Sequence, residues 1–279
     1  MKRIFYLAFA AVFALSALFI SCDNFNKDEL LIGVVGETLE SSPITNTASV
    51  QRVLLEDYTG WRCNNCPEAA VVAEDLKVQY GNVLVLMSVH ATAFAQPLAL
   101  NNFLDLRTEY GERWAKEFDA NALPAGLVNR VKENGAFKIA YEDWAAKVAQ
   151  RKNRPHVLDI NLGASVNQDN KIIVSTENIF LQSVDFPTLI NVLVLESDIR
   201  GVQLTNPPTP DYQFNNVVRT NGRVDFALTT EPARAGETIS KNYFINISQD
   251  WNLANCKVVV FVTNANTKEV IQVNEVDLQ

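Results

Sequence analysis

The chain of 279 residues is 48% hydrophobic and carries 24 basic against 32 acidic side chains, a formal charge of −8 at neutral pH. That length and apolar content suffice for one large packed domain or two ordinary ones. The acidic balance, with no basic stripe interleaved with aromatics, excludes nucleic acid as a partner, because phosphates demand clustered Lys and Arg.

Residues 1–21 open with Lys2 and Arg3 and continue as an uninterrupted apolar run, IFYLAFAAVFALSALFI, that stops at Ser21 and Cys22. These are the n-region and h-region of a secretory signal. The polar SCDNFNKDE that follows holds no basic stop-transfer cluster, which predicts cleavage, and cleavage leaves 22 basic against 32 acidic residues, a charge of −10. Export allows disulfides to form, but the four cysteines, Cys22, Cys63, Cys66 and Cys256, are too few for a disulfide-stapled scaffold. LFISC resembles the lipobox of bacterial lipoproteins, and that resemblance implies acylation of Cys22. Several acyl chains would make a lasting membrane anchor, where one alone is marginal. The alternatives are an ordinary signal peptide cut nearby or an uncleaved anchor.

Residues 22–49, ending GETLESSPITNTA, show no periodic apolar pattern and read as a tether of on the order of 30 Å if flexible. From Gln51, strand and helix signals alternate. RVLLEDY is a β-rich run into the cysteines, and PEAAVVAEDLKVQYG sets Ala69, Val72, Leu76 and Tyr80 at helical spacing, with Gly81 as the stop. NVLVLMSVH is the near-continuous apolar run of a strand buried on both faces. LNNFLDLRTEYGERWAKEF spaces Phe103, Leu106, Tyr110, Trp114 and Phe118 as a helix. PAGLVNRV, the turn KENG and AFKIA predict a hairpin, and YEDWAAKVAQRK a closing amphipathic helix. The order over residues 50–153 is βαβαββα. From residue 154 to 279 the texture is all-β, seven short alternating runs that argue for an antiparallel, Ig-like sandwich. A long polar loop, TNPPTPDYQFNN, interrupts it, and its prolines exclude a central strand.

The chemistry concentrates at GWRCNNCPE, residues 60–68. A CxxC that ends a strand and opens a helix inside a βαβ pattern reads as a redox dithiol. Backbone N–H groups and the helix dipole favour the thiolate of Cys63. A pKa lowered from about 8.5 to about 7 raises the thiolate fraction at pH 7 from roughly 3% to roughly 50%. Cys66, one turn on, can resolve a mixed disulfide, and Pro67 suits a first helical turn. A structural disulfide is the competing reading, although a four-residue loop contributes only about 2 kcal/mol. Structural zinc wants four ligands, and Cys256, His90 and His156 are scattered through the chain, so no metal and no cofactor is expected. Cys256 reads as a buried small hydrophobe. His90 ends the second strand, where a proton relay competes with a satisfied strand-end histidine.

VLLEDYTGWRCNNCP, the element order and ALPAGLVNR together resemble a thioredoxin-like domain. The resemblance implies a cis proline at Pro124, with the backbone of Leu123 pairing with an extended substrate chain. It implies a buried acid at Asp57, six residues before the first cysteine. Trp61 stands one place further back than the family's aromatic, Arg62 takes that place, and Asn64-Asn65 fills the motif. With the lipobox and the β-region, the chain resembles Bacteroidetes outer membrane lipoproteins that join a thioredoxin-like domain to a β-sandwich. Two functions follow from the resemblance. One is a membrane-held thiol-disulfide oxidoreductase acting on protein thiols, with Cys63, Cys66 and Pro124 catalytic and Leu123 and Trp61 binding substrate. The other is a non-enzymatic envelope lipoprotein that binds an envelope partner, with the first domain as scaffold.

Overall fold

The computed structural model describes residues 40–47, 49–98, 104–219 and 223–278. The signal segment 1–21, Cys22 and most of the expected tether lie outside the described residues. Residues from Glu40 onward form one compact unit.

The first half follows β1 (Val53–Thr59), α1 (Cys66–Tyr80), β2 (Leu84–His90), α2 (Glu109–Glu117), β3 (Ala125–Val128) and α3 (Trp144–Arg151). β1 lies parallel to β2 and antiparallel to β3. α1 stops where Gly81 takes a positive φ of 56°, a conformation glycine adopts without steric cost. The apolar period from Phe103 predicts an earlier start for α2 than the structure has. Thr108 caps the helix, its hydroxyl accepting from the N–H of Gly111 at 3.0 Å, and Leu104–Leu106 lie outside it; the start of the expected helix, with Phe103, lies outside the described residues. In the expected hairpin only isolated bridges close the second arm, Gly126 with Ile139 and Glu133 with Ala136. A Cβ at Gly126 would collide with the Trp144 indole, so glycine there lets α3 seat its tryptophan on β3.

The second half is β-rich. Its strands are β4 (Leu158–Val166), β5 (Lys171–Phe180), β6 (Thr188–Glu196), β7 (Ile199–Gln203), β8 (Thr209–Phe214), β9 (Val217–Val218), β10 (Arg223–Thr229), β11 (Thr238–Asn246), β12 (Cys256–Asn264) and β13 (Val270–Asp277). The prolines of TNPPTPDYQFNN fall at the tip and first positions of a two-stranded hairpin, β7 with β8, where missing N–H groups cost little. β10 and the two-residue β9 share one edge of β6.

β9 also pairs with β2, so one eight-stranded sheet runs β13-β12-β6-β9-β2-β1-β3 through both halves, with β10 beside β6. The join includes the Ser88 N–H donating to Asn216 O at 2.8 Å. One face of this sheet carries a single core in which α2 (Trp114, Ala115) and Phe118 meet Leu54, Tyr58 and Met87 as well as Leu193, Val259 and Phe261. The opposite face is divided. Over β1 and β2 it is covered by α1 and α3, with Leu55, Leu76, Leu86 and Trp144. Over β6 and β12 it is covered by the three-stranded sheet β11-β5-β4, with Leu162, Val174, Val192 and Val260. Residues 40–47, part of the expected tether, lie along β4, where the amides of Thr45 and Asn46 donate to Leu162 O. The architecture is mixed α/β with several sheets.

A buried ion pair lies within the first half and meets the second through Phe261. Arg130, after β3, donates to both oxygens of Glu56 at 2.7 and 2.8 Å. Its guanidinium lies 4.3 to 5.0 Å from the ring centroids of Trp114, Phe118 and Phe261. Removing either partner alone would strand a buried charge.

Candidate functional site

The two strands that bracket the site change character along their length. On the face toward α1, β1 presents Val53, Leu55, Asp57 and Thr59, and its register partners on β2 are Leu84, Leu86, Ser88 and His90. The first two of each row pack under α1. The last two, at the C-terminal ends of the strands, lie by the start of that helix and line a cavity of about 210 Å3 together with Cys66, Ala70, Glu74 and Tyr212. Period-two alternation thus places polar groups on a buried face where the apolar packing stops.

Cys63 and Cys66 are joined as a disulfide, and Cys66 is the first residue of α1. The loop that holds them is pinned from two sides. From one side, the segment after β2 accepts from it. Arg62 N–H donates to Phe94 O at 3.0 Å, and the Trp61 indole donates to Ala95 O at 3.0 Å. Gly60 allows that approach, since a Cβ there would lie 2.6 Å from the Phe94 backbone. From the other side comes the β7–β8 hairpin. Gln203 donates to Cys63 O at 2.8 Å and to Gly60 O at 3.3 Å, and Leu204 N–H donates to Trp61 O at 2.7 Å. Trp61, Leu106, Ile199, Phe214 and Val217 form a small apolar cluster beneath this arm. The cysteines are left 3% and 2% exposed.

Asp57 and His90 are the titratable groups of the floor. Burial pushes the Asp57 carboxyl up to about 7. Burial, with the positive charge of Arg219, pushes His90 down to about 3, so its imidazole is neutral at pH 7. One oxygen of Asp57 and both ring nitrogens of His90 have no hydrogen-bond partner in the structure. The Phe214 ring meets His90 edge-on at 5.4 Å.

The predicted site residues fall as follows. Cys63, Cys66 and Asp57 are brought together. The Leu123–Pro124 bond is cis. Ala125, next in sequence, pairs with Tyr58, which sets Pro124 beside the end of β1 that leads to the cysteines. Leu123 packs against the core around Trp114. Trp61 is buried under the arm rather than set on an open rim. His156, just before β4, pairs with Asp159 at the start of that strand at 2.8 Å. Cys256 is buried among the sheet residues with its thiol pushed up to about 12, chiefly by burial. Sequence reasoning missed Gln203 and the whole arm, since nothing in VQLTNPPTPDYQF marks its target.

No curated protein matches the chain. Among solved structures, HBP35 of Porphyromonas gingivalis is similar, with a TM-score of 0.54 at 14% identity over 82% of this chain and 76% of that one. A domain of the outer membrane lipoprotein Omp28 from Porphyromonas gingivalis aligns at 17% identity over 45% of this chain and 91% of that one, with a TM-score of 0.30. The first likeness speaks to the fold alone. The sequence pattern of the family described as outer membrane protein Omp28 matches residues 112–279, more than half of the chain. The chain therefore belongs to the Omp28 family of outer membrane proteins, and its place is the cell envelope.

Proposed function

We propose that this envelope protein carries a thioredoxin-like redox site, the Cys63–Cys66 pair, held at the membrane through an acylated Cys22, with the Ig-like β-region acting as a cover and partner surface. The observation that carries the reading is the buried, incompletely partnered Asp57 carboxyl in the same cavity as Cys66, at the start of α1.

In the exchange, a substrate thiolate attacks Sγ of Cys63. The Cys63–Cys66 bond breaks, a mixed disulfide forms, and Cys66 leaves as a thiolate that takes the proton of Asp57. A second substrate thiolate then attacks the substrate sulfur of that mixed disulfide, releasing the oxidised substrate and the Cys63 thiolate. The reverse sequence reduces a substrate disulfide. A carboxyl with a pKa of about 7 suits proton transfer near neutral pH. Pro124, with Leu123, orients the substrate chain, once the arm has moved far enough to admit it.

A second reading, a binding lipoprotein in which the disulfide is an inert staple, is favoured by the 3% and 2% exposure of the cysteines. The absorbance of the Cys63 thiolate in the reduced protein, titrated with pH, separates the two. The redox reading expects a pKa below about 8.5, the value of a free thiol. A value at or above it, with no turnover of a model disulfide, leaves the staple.

A further inference from the structure

We infer that the cavity between α1 and the β7–β8 arm is a binding site for a small organic cation, a primary alkylamine whose ammonium group pairs with Asp57. Three observations converge on it. The floor holds a buried carboxyl, 4% exposed, one of whose oxygens has no partner. Ionised and alone, such a group is costly to bury, and a cation that reaches it relieves the cost.

The lining contains Asp57, Glu74 and Asp75 and no Lys or Arg. Glu74 and Asp75 are exposed on α1 at the mouth, where they attract positive charge and repel anions. His90 does not compete for the carboxyl, because burial and Arg219 keep its imidazole neutral. Arg219 itself is engaged by Glu196 and Asp250.

The walls suit an aliphatic stem. Leu55, Leu86, Ala70 and Ala73 supply apolar surface, and Tyr212 and Phe214 present rings from the arm. Asp57, Glu74 and Tyr212 line the same space, and burial, with the charges of the two carboxylates, pushes the Tyr212 phenol up. A cavity of about 150 Å3 holds benzene, so the 210 Å3 here admits roughly eight non-hydrogen atoms. A five-carbon amine fits, and the acids at the mouth favour a second ammonium on its far end.

The inference does not rest on redox turnover, and its test keeps the disulfide oxidised throughout, so a protein inactive in exchange can still bind. Calorimetric titration of the mature chain at pH 7.5 compares 1,5-diaminopentane, pentylamine, pentanol and pentanoate. Both amines should bind, the diamine more tightly, with pentanol and pentanoate at least tenfold weaker. Amine affinity should fall as pH drops from 8 to 5 and Asp57 takes its proton; Glu74, Asp75, His90 and Tyr212 are the other titratable groups of the lining, Cys66 being held in its disulfide. Asp57→Asn should weaken amine binding at least tenfold. Ala70→Leu, which fills the cavity from α1 without touching the carboxyl, should abolish it. Equal binding of pentanol and pentylamine, wild-type affinity in either variant, or no heat from either amine at millimolar concentration would overturn the site.

Discussion

Asp57 and His90 make opposite demands on the folded state, and their opposition can be measured. Burial raises Asp57 from 3.8 to about 7, so the folded chain holds that proton more tightly than the unfolded one. The resulting stabilisation is present at low pH and lost as pH rises through that window. His90 is lowered from 6.5 to about 3. The folded chain resists that proton, and stability is lost as pH falls through the interval. Between about pH 4 and 6.5 the two contributions run against each other, each at up to roughly 1.4 kcal/mol per pH unit. Relative to wild type, Asp57→Asn should therefore gain stability as pH rises from 4.5 to 6.5, and His90→Gln should lose it, as read by urea unfolding. A difference that stays flat with pH in both variants would contradict the burial of these groups. Cys63 and Cys66 were legible in the sequence as a short motif, whereas Asp57 and Pro124 were singled out only by the resemblance to a thioredoxin-like domain. Gln203 was not, since its target, Cys63 O, is 140 residues away and a single glutamine has no local signature.

At the scale of elements, the β7–β8 arm governs access to the disulfide. Gln203 and Leu204 hold the cysteine loop by hydrogen bonds, while Ile199 and Phe214 close over Trp61. A net hydrogen bond contributes about 1 kcal/mol. Gln203→Ala, which removes two, should raise the rate of Cys63–Cys66 reduction by a small phosphine roughly thirtyfold. A rate equal to wild type would mean that the arm does not limit access. Helix α1 was readable from apolar spacing and Gly81. α2 was read too long, because the apolar period continues through Leu106 while the Thr108 cap decides where the helix begins. The arm was read as a loop, because proline argues only against central strands, and a free-standing hairpin is not one. β9, at two residues, is too short to show any alternation.

The described residues are organised around one eight-stranded sheet with different covers. The change of texture near Arg154 was read as a domain boundary; α3 ends at Arg151, and one sheet runs on through both halves. Pairing across that boundary is non-local, with Ser88 beside Val217 and the Val270 N–H on Asn129 O at 2.9 Å, and no local pattern encodes it. The core around Trp114 is completed by Leu193, Val259 and Phe261 from the second half. A fragment of residues 40–153 should consequently fail to fold, with a collapsed amide proton spectrum; native-like dispersion would show that the first half stands alone. On the proposed reading, this assembly encloses a working redox pair rather than a staple. Equilibration of the intact chain in redox buffers, with the Cys63 and Cys66 thiols counted at each potential, tests it most directly. A working pair should have a midpoint in the range of dithiol oxidoreductases, between about −120 and −270 mV. A midpoint below about −300 mV, where structural disulfides lie, would contradict it.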